Sequence, residues 1–511
     1  MTKGGEMPAA VSIKNVTYTY EGEEKPVLKD LSMDFREGEI HAVCGPSGCG
    51  KSTVLYLISG LIPHMYEGNL QGRVCLFGED VTDTFPHERC DRIGLVMQNP
   101  DSQFCSFTVE EELAFGLENL GMEASEMQER IEETLSLTGL TGYEMSSMDH
   151  LSGGQKQKVA IAAVLAMRPR IMLLDEPTAN LDPENRRMIF SLITELPGKF
   201  GITVILVEHH IDEIITEVDH LYLLDESGSV ISDGKGTDER NRIEELSRRA
   251  KEEAGEFIPT KPTEEVLLSV RNLKFAYPLP GNKKGPEILR GVSFDLKKQE
   301  FLAITGINGS GKTTLMNLLF KMYQPDSGDI VLYGRSCGKW KKKDLYRTAG
   351  LVFQNPEDQF IGNSVMEEMM FSLKKEKMTI EEKKARSMKM LRRFHLEGDC
   401  EKSPFVLSQG QKRRLSVAAM LLTDQKILFL DEPTFGQDQK NRHMLMRDMQ
   451  KLIRDGVTVV MITHDMELVR EYATRVIEIR GGKIDAATSK EEEDVFIRSG
   501  RFSASPAESC L

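Results

Sequence analysis

The chain is short of the features that would place it across a membrane or outside a cell. No stretch approaches the roughly 18 consecutive apolar residues of a spanning helix. The greasiest runs, Ile171 to Leu174 and Val457 to Ile462, are brief and bounded by polar residues, as buried strands are. Met1 to Ala10 carries no apolar signal core, so a cytoplasmic protein is expected. The eight cysteines form no CxxC pair and no His/Cys cluster at zinc spacing; reduced thiols are expected, not bridges or metal ligands. Positive charge is scarce too: 65 Lys and Arg against 80 Asp and Glu give a formal net charge of −15. Such a chain lacks the clustered cations that nucleic-acid backbones or anionic membrane surfaces attract. With 511 residues, 40 % apolar and 28 % charged, it has ample material for sizeable cores.

The most informative property is internal repetition. Gly45-Pro-Ser-Gly-Cys-Gly-Lys-Ser-Thr53 returns as Gly306-Ile-Asn-Gly-Ser-Gly-Lys-Thr-Thr314, 261 positions on. Val96-Met-Gln-Asn-Pro-Asp-Ser-Gln-Phe104, Leu151-Ser-Gly-Gly-Gln-Lys156 and Ile171-Met-Leu-Leu-Asp-Glu-Pro-Thr178 each return 256 positions on. His209 and His464 are 255 apart. A near-constant offset over five motifs is a duplicated domain. The expected organisation is a first domain over 11–238, a charged linker over 239–264, a second domain over 265–488 and a loosely ordered tail over 489–511. Strand-like runs alternate with helical ones: a strand at Glu39 to Cys44, a helix from Ser52 to Ile62, a helix from Lys156 to Met167, and strands at Ile171 to Leu174 and Thr203 to Val207. The alternation predicts α/β domains with largely parallel core sheets, and a helical insertion around Glu110 to Glu133.

Both glycine loops match G-x-x-x-x-G-K-[ST] between a strand and a helix, the context that the phosphate-binding loop requires. Candidate phosphate ligands are Gly45, Pro46, Ser47, Gly48, Cys49, Gly50, Lys51, Ser52 and Thr53, and Gly306, Ile307, Asn308, Gly309, Ser310, Gly311, Lys312, Thr313 and Thr314. Glycines let successive N–H groups line one concavity. Lys51 and Lys312 add a point charge, and Ser52 and Thr313 offer a hydroxyl to Mg²⁺. Asp175 and Asp431, each ending an apolar strand, are candidate metal residues; the adjacent Glu176 and Glu432 are candidates to polarise an attacking water. An acidic pair after a strand can also be a helix cap. Gln98 and Gln354 are either metal and water sensors or loop residues. His209 and His464 are either γ-phosphate contacts or structural residues. The other histidines read as surface residues.

In this order and twice over, these motifs resemble the nucleotide-binding domains of ATP-binding cassette (ABC) proteins, over about residues 11–235 and 266–485. The Gln-Asn-Pro-Asp/Glu-x-Gln-Phe form is similar to that of energy-coupling factor (ECF) and cobalt-type importer ATPases. The resemblance implies two P-loop NTPase domains, each with a mostly parallel core sheet, an antiparallel β subdomain and a helical subdomain. It implies adenine stacking by Tyr20 and Tyr277, with Tyr18 a weaker alternative and a core role for these rings the competing reading. It makes Ser152, Gly153, Gly154 and Gln155, and Ser408, Gln409, Gly410 and Gln411, signature motifs that complete the ATP site of the opposite domain, so that Lys51 faces Ser408 and Lys312 faces Ser152. Two departures, Gln409 for Gly153 and Gly436-Gln-Asp438 for Asn180-Leu-Asp182, would both fall on the Lys51 site and make it the slower one. The implied function is Mg²⁺-dependent ATP hydrolysis in the energy-coupling subunit of a vitamin or metal-ion importer at the cytoplasmic face of the membrane. Separate transmembrane subunits, a coupling protein and a substrate-binding component, would be its partners. Phe104, Phe107, Phe360 and Ile361 would either line the docking groove for these subunits or pack in the core. A fused sugar-importer ATPase, and a soluble tandem ABC protein acting on ribosomes or DNA, are the alternatives.

Overall fold

In a computed structural model, residues 9–489 are described apart from 179–180, 182, 209–210, 255–260, 280–282, 308, 424 and 435–438. The chain divides into two compact units, the first drawn mainly from residues up to Ala250 and the second mainly from Lys251 onward.

Each unit is built on a six-stranded sheet of the described residues. In the first, the spatial order is Val230–Gly234, His220–Leu224, Ile40–Cys44, Thr203–Val207, Ile171–Asp175 and Ile93–Val96. Only the Val230–Gly234 edge strand pairs antiparallel. The second repeats this order as Lys483–Ser489, Arg475–Arg480, Phe301–Thr305, Thr458–Ile462, Ile427–Asp431 and Ala349–Val352, again antiparallel only at the first pair. Strands such as Ile171–Asp175 and Ile427–Asp431 are buried at every residue. That is why they read as continuous apolar runs instead of alternating ones. Ile171 and Leu173 pack into one core, Met172 and Leu174 into another on the opposite face, as the two-residue period of a strand dictates.

The first of those cores is closed by an antiparallel sheet, Leu28–Arg36, Ala9–Tyr20, Gly68–Leu76 and Glu79–Asp80 in spatial order. A third core belongs to helices Val109–Asn119, Ala124–Thr138 and Gly153–Ala166. The second unit has counterparts: a sheet of Lys283–Lys297, Val266–Leu279, Ser327–Leu332 and Arg335–Ser336, and helices Val365–Ser372, Ile380–Arg393 and Gln409–Leu421.

The glycine-loop helix stops sooner than expected. It runs Lys51–Ser59 and is ended by Gly60 at φ +81, a left-handed C-cap. The buried Arg89 guanidinium then donates to Leu57 O, which also accepts from Gly60 N, and to Ile58 O, both in the last turn of that helix. The first part of the expected charged linker forms a helix, Gly236–Ala254. Reading every remaining histidine as a surface residue was wrong. His41 lies inside the core strand Ile40–Cys44 with no exposure, and His443 is buried with its Nδ1 2.8 Å from the Tyr472 hydroxyl. None of the seven cysteines at described positions is in a disulfide.

Candidate functional site

The strand order brings the motifs together. In each sheet the strand feeding the glycine loop, the strand leading toward the histidine and the strand ending in the acidic pair are adjacent and parallel. Their carboxyl ends therefore deliver all three motifs to one edge, where α/β folds bind ligands.

Each lysine curls back over its own loop. Lys51 Nζ donates to Gly45 O (2.9 Å) and Pro46 O (2.8 Å), and Lys312 Nζ to Gly306 O (2.6 Å) and Ile307 O (3.1 Å). A Cβ at Gly45 would fall 2.8 Å from Leu224 O, and one at Gly306 would fall 2.2 Å from Ile479 O, so only glycine lets the loop lie this close to the neighbouring strand. At Gly48 and Gly309 the space is open and the left-handed backbone, φ +82 and +77, is what favours glycine. Asn308 and His209 lie outside the described residues.

The hydroxyl after each lysine meets the strand-end aspartate. Ser52 Oγ donates to Asp175 Oδ1 at 3.0 Å, and Thr313 Oγ1 to Asp431 Oδ2 at 3.4 Å. Burial, with Glu432 beside it, pushes the Asp431 carboxyl up to about 6 against the pull of Lys312. A hydroxyl and a carboxylate converging in this way are hard oxygen donors, a set suited to Mg²⁺.

Glu176 and Glu432 carry a feature that their sequence context did not announce. Both sit in the left-handed region, at φ +48 and +44, a conformation costly for a residue with a Cβ and characteristic of functional sites. Each N–H is held by the neighbouring strand, Glu176 N by Val207 O and Glu432 N by Ile462 O, both at 2.9 Å. The carboxylates are held as well. Gln98 Nε2 donates to Glu176 Oε2 at 2.7 Å, and His464 Nδ1 is 3.0 Å from Glu432 Oε1.

The Gln-Asn-Pro segments are built alike in both units. Asn99 and Asn355 accept from Asp101 N and Glu357 N and so cap short 3₁₀ turns that start with Pro100 and Pro356. The acidic residue of each turn then pairs with the lysine after the signature motif, Lys156 with Asp101 at 2.5 Å and Lys412 with Glu357 at 2.6 Å. At the far end the buried Glu112 carboxylate accepts from Cys105 N and Ser106 N, and Glu368 from Ile361 N and Gly362 N. Sequence reasoning passed over these four tethers, although a glutamate on the apolar face of a helix was a signal. Of the four candidate docking residues, Phe360 is buried and Phe104 packs partly into the core, whereas Phe107 and Ile361 are exposed.

Ser152 and Ser408 are N-caps closed by reciprocal bonds with Gln155 and Gln411, capping boxes of the S-x-x-Q form. Gln411 also donates to Asp399 at 2.9 Å, so its amide is engaged at both ends. A Cβ at Gly153 would meet nothing within 4 Å, whereas at Gly154 it would meet Asn185 and at Gly410 Asn441. The packing within its own unit thus gives no reason for glycine at 153; the Gln409 side chain and residues 435–438 are outside the described set.

Tyr20 and Tyr277 are each half-buried beside a glycine-loop helix. Their hydroxyls lie 3.0 Å from Thr53 Oγ1 and Thr314 Oγ1. Tyr18 is fully buried and donates to Tyr66 O, so the weaker alternative is a core residue.

The chain is similar to known proteins over most of its length. The family model described as ABC transporter matches twice, over residues 28–179 and 289–435. A Bacillus subtilis protein provisionally named as the HMP/thiamine import ATP-binding protein YkoD is 39 % identical over 495 residues, spanning 91 % of this chain and 89 % of its own. A Methanosarcina mazei protein provisionally named as an ABC transporter ATP-binding protein is 37 % identical, spanning 95 % and 90 %. Among solved structures, cbiO1 from Clostridium perfringens, titled as part of the ABC transporter complex cbiONQ, is 30 % identical with a TM-score of 0.42, covering 48 % of this chain and 95 % of its own. The chain belongs to the ABC transporter family and is a tandem ABC ATPase with two nucleotide-binding cassettes.

Proposed function

We propose that this ATPase is the energy-coupling subunit of a membrane importer of the ECF type, with a vitamin or a metal ion as cargo. The observation that carries the reading is that both cassettes retain the complete set of loop lysine, loop hydroxyl, strand-end aspartate and left-handed glutamate. Two motors are thus kept in one chain. The relative provisionally named for HMP/thiamine import, which matches nearly the whole length, supports import over the ribosome or DNA readings and a thiamine-related vitamin over sugar. No helix of the described residues is long and apolar enough to cross a membrane. The cargo path is therefore assigned to separate transmembrane subunits, with this chain at the cytoplasmic face of the membrane.

In this reading the two cassettes pair head to tail and enclose two ATP molecules. Each lies on one glycine loop and is closed by the other cassette's signature motif, Ser408 over the Lys51 site and Ser152 over the Lys312 site. The capped helix N-termini at Ser152 and Ser408 support this, because a helix start favours a phosphate. Mg²⁺ would be held by Ser52 and Asp175, and by Thr313 and Asp431, with Gln98 and Gln354 in reach, and would neutralise phosphate charge. Glu176 and Glu432 take the proton of the attacking water, Gln98 and His464 orient their carboxylates, and His209 and His464 contact the γ-phosphate. Tyr20 and Tyr277 stack on adenine.

The test is Mg²⁺-dependent ATP hydrolysis by the full chain carrying Lys51→Ala and Lys312→Ala together. Loss of at least 100-fold is expected, by analogy with removing one preorganised charge stabiliser from an active site. Retained turnover overturns the assignment. Purification of the native complex should also bring down transmembrane subunits; a chain that purifies alone from membranes argues against the transport role.

A further inference from the structure

Both cassettes tie the signature helix to the Gln-Asn-Pro turn through a lysine, but the second has an additional tie. Arg413, on the helix Gln409–Leu421, is 1 % exposed. Its guanidinium donates to Phe353 O and Gln354 O of the turn and reaches Glu432 O at 3.4 Å. One buried side chain therefore joins three parts of the second cassette: the signature helix, the backbone of the Gln residue, and the backbone of the left-handed glutamate.

The matching position of the first cassette carries a different residue. Position 157, 256 residues earlier, is Gln157. It is as buried as Arg413, at 2 % exposure, and its Nε2 has no hydrogen-bond partner among the described residues. A guanidinium presents five donors in a rigid fork and keeps its charge when buried. A glutamine amide has two donors and no charge. Burying a cation is costly unless it is hydrogen-bonded and close to opposite charge. Here Asp431 and Glu432 supply that charge. The cost of this burial in the second cassette alone marks a job that the first does differently.

We propose that Arg413 is a positioning residue of the second cassette, which locks the Gln354 segment and the Glu432 backbone to the signature helix so that these elements move as one body. The inference rests on the ATPase reading of Glu432 and extends it. The two ATP sites are mechanically unequal: a shift of the second cassette's signature helix is passed directly to its own glutamate through Arg413, whereas Gln157 at the matching position of the first offers no such fork.

The test uses the full chain with Arg413→Gln, which copies the first cassette, and Arg413→Lys, which keeps the charge without the fork. Readouts are kcat and KM for ATP, the thermal midpoint, and amide exchange resolved to the Gln-Asn-Pro segments. Arg413→Gln is expected to lower kcat about tenfold with KM within about twofold. It should speed exchange at residues 353–357 and leave residues 97–101 unchanged. Arg413→Lys should fall between the two. Unchanged exchange at 353–357, or loss through KM alone, overturns the proposal. So does faster exchange across the whole second cassette, since that is what a purely structural residue would give. Should Arg413→Gln fail to fold, Arg413→Lys decides: behaviour identical to the unaltered chain overturns the tether. An unaltered chain that does not hydrolyse Mg-ATP instead sinks the ATPase reading of these residues.

Discussion

At the scale of single residues, the structure converts motif letters into hydrogen bonds. Tyr20 and Tyr277 show this best. The family resemblance nominated them, and their hydroxyls turn out to be anchored on Thr53 and Thr314. Each threonine thereby ties a ring to its glycine-loop helix. The anchor can be separated from the ring. Tyr20→Phe keeps the aromatic face and deletes a bond worth about 1 kcal/mol, so the apparent affinity of the first cassette for ATP should fall roughly fivefold. Tyr20→Ala, which removes the face as well, should cost clearly more. Nucleotide titration with a fluorescent ATP analogue checks both; equal effects would show that the anchor and not the ring is what matters. The same scale holds the sharpest surprise, the left-handed backbone at Glu176 and Glu432. No propensity predicts a glutamate there. The conformation is imposed by the next strand, which grips each glutamate N–H.

At the scale of elements, the Gln-Asn-Pro turn explains its own spelling. The Asn caps, the Pro starts the 3₁₀ turn, and the acidic residue reaches the lysine after the signature motif. The far end depends on a buried glutamate from the following helix. Glu368→Ala would leave Ile361 N and Gly362 N without their acceptor. Both donors are part-buried, so each orphaned one costs about 1 kcal/mol, which together lower the thermal midpoint of a cassette of this size by roughly 4–8 °C. Calorimetry should show the drop in the second cassette only, and Glu112→Ala should mirror it in the first; a shift within 1 °C would assign the Glu368 carboxylate no structural role. Elements were the most legible level in the sequence. Continuous apolar runs became core strands, and the charged segment after the Gln-Asn-Pro motif became the two helices Val109–Asn119 and Ala124–Thr138. Boundaries set by distant contacts were not legible. The glycine-loop helix ends at Ser59 because Gly60 turns left-handed under Arg89, about 30 residues away in the chain.

At the scale of the whole molecule, the duplication is exact in topology and inexact in chemistry. Within the first core sheet His41 pairs in register with His220, whereas Leu302 pairs with Arg475 at the same place in the second. Arg475 is bonded to the buried Glu300 at 2.6 Å. Burial holds His41 at about 4, below its ordinary 6.5; the Arg36 carbonyl works against this, and His220 and Arg36 add to it. A histidine whose folded value is lowered takes up protons on unfolding, so stability present at neutral pH is lost as pH falls from about 6.5 toward 4. The loss amounts to about 3 kcal/mol at the low end. Glu39, 3.7 Å from His41 and raised by burial and by Asp219, works in the opposite sense and offsets part of this. The first cassette should therefore unfold before the second as pH is lowered from 7 to 4.5, and His41→Leu, copying the second cassette, should close the gap. Calorimetric transitions that fall together at every pH would refute the prediction.

What the sequence determined by itself was the repeat, the order of the motifs and the residue types able to hold phosphate and magnesium. These depend only on chemical identity and on spacing along the chain. The tertiary structure decided which residues hold the motif segments in place: Arg413, Lys156 and Lys412, Glu112 and Glu368, Thr53 and Thr314. Their partners lie on other elements, and nothing in a linear sequence records which backbone carbonyl or N–H a folded side chain will meet.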